Sequence, residues 1–173
     1  MLGLVNTLAV IRSAIYNEVS GQRFYGDAAY SCIDPWAKEV FATLVKDEEE
    51  HTRLLLLQYE SLTVDGRWLD PEAALASDAE VDITRFVFPE GEPAETLFQP
   101  SQAIDRRSDD LAALAYGIDM ERRAIDLYGR GAAESSDQAA RNTYEYLIDQ
   151  ETEHYQQLKN QWEKLAGIPF GDV

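Results

Sequence analysis

The chain contains two histidines in 173 residues, and each follows a glutamate by three positions. The first pair lies in Asp47-Glu48-Glu49-Glu50-His51, the second in Asp149-Gln150-Glu151-Thr152-Glu153-His154. Residues three apart share one face of a helix. Glu48 with His51, and Glu151 with His154, can therefore each offer a carboxylate and an imidazole to one point. Thirty positions before each of these glutamates stands another, Glu18 before Glu48 and Glu121 before Glu151. Carboxylate oxygens and imidazole nitrogens together suit iron or manganese. A lone Glu-x-x-His is weak evidence, because glutamate is common in helices. Matching glutamates at the same offset from both histidines are far more specific.

Helices must carry these residues. Leu4, Leu8, Ile11 and Ile15 recur at three- and four-residue steps, and Glu18 continues their stripe. A glutamate in an apolar stripe is costly to bury unless it is paired or coordinated. The spacing predicts a first helix over about 4–30, with Tyr25 two turns beyond Glu18 and Gly26 offering a place for close packing. Asp34-Pro35 is a cap followed by a residue suited to the first turn. A second helix over about 35–62 carries Val40, Phe41, Leu44, Glu48, His51, Leu55 and Tyr59 on one stripe, and Gly66 ends it. A third, over about 108–131, carries Leu111, Leu114, Ile118, Glu121 and Tyr128 and fades at Gly129-Arg130-Gly131. The fourth, over about 137–165, is capped by Ser136-Asp137. It carries Tyr144, Leu147, Ile148, Glu151, His154, Tyr155, Leu158 and Trp162, and Gly167-Ile168-Pro169 stops it.

Adding 103 to the numbers of the first half lands Glu18 on Glu121, Tyr25 on Tyr128, Gly26 on Gly129, Glu48 on Glu151 and His51 on His154. The chain thus reads as two helix hairpins related by a pseudo-two-fold axis, which would bring both ligand sets to one centre. The connector, about 63–107, is too long for a turn between adjacent antiparallel helices. Within it Asp70-Pro71 can start a short helix to Leu75. Val81 to Phe88 reads as partly extended, and Pro89 to Pro93 as a turn. Phe86, Phe88, Leu97 and Phe98 are expected to pack on the bundle or on a second subunit.

Composition narrows the class. A hydrophobic fraction of 45% argues against disorder, and the length fits a single domain over 1–173. The net charge of −17 argues against nucleic-acid binding, which needs clustered Lys and Arg. Glu49, Glu50 and Glu153 fall on other helix faces and read as solvated or as supports behind the inward-facing residues. Tyr16, Trp36 and Trp162 read as packing residues. Cys32 is the only cysteine, so no intrachain disulfide forms, and it reads as a small buried residue. The N-terminus has no basic leader, and no apolar run reaches the length of a membrane span. A cytoplasmic protein is expected.

Glu18-Val19-Ser20-Gly21-Gln22-Arg23-Phe24-Tyr25 is similar to the first-helix motif of rubrerythrins. Asp34-Pro35 with Asp47 to His51, Asp119 to Tyr128, and Gln150 to His154 resemble the other three helices. The resemblance implies an all-α, ferritin-like four-helix bundle, two pseudo-symmetric hairpins joined by a long crossover. It further implies two iron ions, with manganese or a mixed pair as the alternative. Glu18 and Glu121 would be terminal ligands, Glu48 and Glu151 would bridge, and His51 and His154 would each serve one metal. Tyr25 and Tyr128 would hydrogen-bond ligand carboxylates. The implied activity is reduction of hydrogen peroxide by electrons from an external donor such as a rubredoxin-like protein. The alternative is oxidation of Fe(II) by dioxygen, as a ferroxidase or iron-storage protein. A homodimer or higher homo-oligomer is expected, with no nucleic-acid or membrane partner. Two features depart from the family pattern. Rubrerythrins usually carry a rubredoxin domain with four cysteines, and this sequence has one. They also have a glutamate three residues after the third-helix ligand, where this chain has Ala124.

Overall fold

The computed structural model describes residues 2–81 and 109–171. Among the described residues are four long helices: α1 (Leu2–Ser31), α2 (Pro35–Val64), α4 (Asp109–Glu134) and α5 (Gln138–Ala166). A short α3 (Pro71–Leu75) lies between α2 and α4. The expected extended stretch beyond Val81, the turn at Pro89 to Pro93, and the apolar Phe86, Phe88, Leu97 and Phe98 lie outside the described residues. Among the described residues no helix is long and apolar enough to cross a membrane.

Local chemistry sets the helix starts. Asp34 accepts from Ala37 N at 2.8 Å, with Pro35 in the first turn of α2. Asp70 and Pro71 repeat the device at α3. Asp137 accepts from Ala139 N and Ala140 N at the start of α5. Such caps stabilise a helix by about 1 kcal/mol each. At the other ends, Gly66 follows α2 with φ 69° and Gly167 follows α5 with φ 74°. Both are left-handed conformations that glycine adopts without a Cβ penalty.

α1 packs along α2 and α4 along α5, and contacts of α1 with α4 and of α2 with α5 close the bundle. The core has two apolar parts. One holds Ile11, Ile15, Leu54, Leu55, Tyr128, Tyr144 and Leu147. The other holds Tyr25, Phe41, Leu44, Leu114, Ile118, Leu158 and Trp162. The 103-residue shift maps Ile11 onto Leu114, Ile15 onto Ile118, Phe41 onto Tyr144 and Leu55 onto Leu158, so the hairpins bury equivalent faces. Each such side chain contributes about 1.5–3 kcal/mol against the entropy of ordering the chain.

Buried polar side chains lock the connections. Asp110, 7% exposed, accepts from Ile33 N and Asp34 N in the α1–α2 turn. Gln58 bonds both Leu69 N and Leu69 O and also donates to Thr143, tying the start of the connector to α5.

Two expectations about glycine need correction. α4 does not fade at Gly129 to Gly131; it continues to Glu134. A Cβ at Gly131 would come within 2.8 Å of the Tyr144 ring, so this glycine lets α4 lie close to α5. Gly26 has no such role, because a Cβ there would meet nothing within 4 Å.

Candidate metal centre

Each long helix contributes to one buried cluster. Glu18 comes from α1, Glu48 and His51 from α2, Glu121 from α4, and Glu151 and His154 from α5. All six are at most 3% exposed. The ligand atoms of Glu48, His51, Glu151 and His154 all lie within 4.8 Å of one another. The structure thus brings together all six residues singled out by type and spacing.

The geometry is specific. Both imidazoles turn Nδ1 inward, with ring centroids 5.4 Å apart. Glu151 presents Oε1 to His51 Nδ1 at 3.1 Å and Oε2 to His154 Nδ1 at 3.0 Å. Glu48 presents Oε2 to His51 Nδ1 at 3.7 Å and Oε1 to His154 Nδ1 at 3.4 Å. Each central carboxylate therefore offers one oxygen to each histidine. Glu18 Oε2 flanks His51 Nδ1 at 3.3 Å, and Glu121 Oε1 flanks His154 Nδ1 at 3.8 Å. Tyr25 donates to Glu121 Oε1, and Tyr128 donates to Glu18 Oε1. The two tyrosine bonds are exchanged by the repeat, each crossing from one hairpin to the other.

Burial and crowding perturb these groups. Desolvation, then the charges of Glu18 and Glu151, hold the Glu48 carboxyl well above the usual range. Desolvation with Glu151 and Glu48 does the same to Glu121. Burial alone would also raise Glu151, but the hydrogen bond from His154 and the adjacent His51 imidazole outweigh it and hold that carboxylate low. Desolvation opposes the charged form of both histidines, yet the carboxylates around them, Glu151 first, raise His51 well above and His154 above the ordinary imidazole range. Tyr25 and Tyr128 are pushed up by burial and by the adjacent carboxylates.

Such a cluster fits cations. Glu151 Oε1 lies near His51 Nδ1, but out of line for a hydrogen bond, and has no hydrogen-bond partner. Four buried carboxylates share two imidazoles, a set whose charge two divalent ions would offset.

Three features were missed in the sequence. Asp47 Oδ2 faces His154 Nε2 at 3.4 Å, the position of an acceptor that fixes the tautomer of a metal-binding imidazole. Its only signal was adjacency to Glu48, and the repeat replaces it with Gln150. Gln22 on α1 donates to Glu48 O and to Thr52, bracing α2 beside the cluster. A small cavity beside the glutamates is lined by Asn17, Gly21, Met120 and Ala124. A larger hollow of about 770 Å³ lies between α2 and residues 75–81, and none of the six lines it. Four of the six, Glu18, Glu48, Glu121 and Glu151, line the smaller cavity instead.

A four-helix bundle with carboxylates and histidines converging at its centre is a ferritin-like arrangement, and its buried Glu/His group fits a di-metal site. The Rubrerythrin family model matches residues 9–161, and the chain belongs to the rubrerythrin family. Comparisons with curated proteins and with solved structures returned no match.

Proposed function

We propose that the protein is a di-iron oxidoreductase that reduces hydrogen peroxide with electrons from an external redox partner. The observation that carries the reading is the division of oxygens by Glu48 and Glu151, one to each histidine. That division suits two ions side by side. His51, Glu18 and one oxygen from each central carboxylate would hold the first. His154, Glu121 and the remaining two oxygens would hold the second. A pair of ferrous ions supplies the two electrons that, with two protons, convert one hydrogen peroxide to two waters, and the partner restores them.

The chain's own residues position and insulate this centre. Tyr25 and Tyr128 fix the carboxylates of Glu121 and Glu18 through their hydroxyl donors. Asp47 orients His154 with Nδ1 inward. The two apolar parts of the core limit water at the cluster. Because Ala124 cannot ligate, a symmetric six-residue set is assigned. A rubredoxin-like donor, a homo-oligomer and a cytoplasmic setting belong to the same proposal, as does a single domain over the whole sequence.

The test is stopped-flow oxidation of anaerobically Fe(II)-loaded protein mixed separately with hydrogen peroxide and with dioxygen. Faster oxidation by peroxide is expected. Faster oxidation by dioxygen with subsequent mineral growth would replace the proposal with a ferroxidase or storage role. Glu18→Ala combined with Glu121→Ala should lower the stoichiometry from two metals per chain, and an unchanged stoichiometry would refute the ligand assignment.

A further inference from the structure

Beside the carboxylate cluster, against α1 and α4, lies a cavity of about 20 Å³. Roughly 10–15 Å³ is enough to hold one water, so this space takes a very small molecule. Its floor is formed by carboxylates of the cluster, and Asn17, Gly21, Met120 and Ala124 line it. Space at Gly21 is limited: a Cβ there would stand 3.5 Å from Glu48 Cδ, so a longer side chain would press on that carboxylate.

The repeat pairs the lining residues, Asn17 with Met120 and Gly21 with Ala124. Three of these four are apolar or lack a side chain. Asn17 differs, and its Oδ1 is buried with no hydrogen-bond partner. A buried acceptor without a donor is destabilising, and native structures leave few of them. Asn17 lines the cavity together with four carboxylates of the proposed reaction centre.

We propose that Asn17 determines oxidant specificity: its side-chain oxygen accepts a hydrogen bond from hydrogen peroxide held in this cavity. The inference rests on the di-iron reading above and deepens it. Hydrogen peroxide carries two O–H donors, whereas dioxygen carries none. Between these two oxidants, satisfying Asn17 therefore favours peroxide. Binding here also places the oxidant directly against Glu18 and Glu121, within the space enclosed by the two hairpins.

Asn17→Ala tests this without plugging the cavity. The variant is loaded anaerobically with Fe(II) and oxidised by peroxide and by dioxygen in parallel with the unaltered protein. The ratio of the peroxide rate to the dioxygen rate should fall about five- to tenfold, the worth of one hydrogen bond. A ratio within twofold of the original would overturn the proposal, whether the two rates are unchanged or change together. The thermal midpoint of the metal-free variant provides a readout independent of turnover. It should not fall, because no protein donor is lost, and a drop of several degrees would assign Asn17 a structural role instead. Failure of the unaltered protein to bind two irons would remove the di-iron reading and this inference with it. Faster oxidation of the unaltered protein by dioxygen would refute only the peroxidase assignment, since the change in ratio still reports on Asn17.

Discussion

Removing the Asp47 carboxylate should weaken one metal-binding step and spare the other. His154 is almost fully buried, and its Nε2 faces Asp47 Oδ2 at 3.4 Å. The contact is electrostatic, without the alignment of a hydrogen bond, and Asp47 is 38% exposed, so water partly replaces it. A partly exposed pair of this kind is worth about 0.5–1 kcal/mol, or about two- to fivefold in affinity. The cost should fall on the ion that His154 serves. The repeat puts neutral Gln150 where a second aspartate would stand, so the step governed by His51 should stay within about twofold. Anaerobic titration of Asp47→Ala with Fe(II) against a competing chelator resolves the two steps. Asp47→Asn, which keeps an oxygen but not the charge, should show about half the loss in free energy. Equal weakening of both steps, or of neither, would refute the assignment of Asp47 to one histidine.

Gly131→Ala should destabilise the protein by about 1–3 kcal/mol, since its Cβ would fall within 2.8 Å of the Tyr144 ring. Gly129→Ala, two residues earlier and facing open space, should stabilise by about 0.5–1 kcal/mol, and urea unfolding distinguishes the two. Tyr25→Phe and Tyr128→Phe should each cost the metal-free protein about 1–2 kcal/mol, with similar urea midpoints because each removes one cross-hairpin bond to a glutamate. Unequal losses of more than about 2 kcal/mol would argue that the hairpins are not energetically equivalent. The metal-free protein should also lose thermal stability as pH rises from about 6 to 9. His51 and His154 are raised above 6.5, so the folded state holds protons that the unfolded state releases, and that stabilisation fades as pH climbs through the folded values. Glu48 and Glu121, raised above 4.5, act in the same direction. Glu151 is lowered and acts oppositely only at acid pH, below the ordinary carboxylate value. Metal displaces these protons, so the gap between loaded and metal-free midpoints should widen over the same range. A flat metal-free midpoint would contradict the perturbed ionisations.

Periodicity and spacing made the helices, and the six polar residues that meet at their centre, legible before any packing was known. Helical periodicity relates residues three and four apart, so Glu48 with His51 and Glu151 with His154 had to share a face once those segments were helical. The caps at Asp34 and Asp137 depend on bonds within three residues and were legible for the same reason. The 103-residue repeat supplied long-range information by making the two hairpins equivalent, which is why Glu18 and Glu121 could be grouped with distant histidines. Local pattern could not reveal which side chains meet across the bundle. Asp47 faces His154 only because α2 and α5 pack at one register, and a single aspartate beside Glu48 carries no mark of that partner. Gly26 and Gly129 matched in the repeat, yet the close approach lies at Gly131, because contact depends on where the Tyr144 ring of another helix falls. Asn17 was one polar residue among many until the fold buried its oxygen beside the glutamates. Spacing along the chain picked out the candidate ligand set, and packing between helices decided what surrounds it, since only packing brings together groups a hundred residues apart.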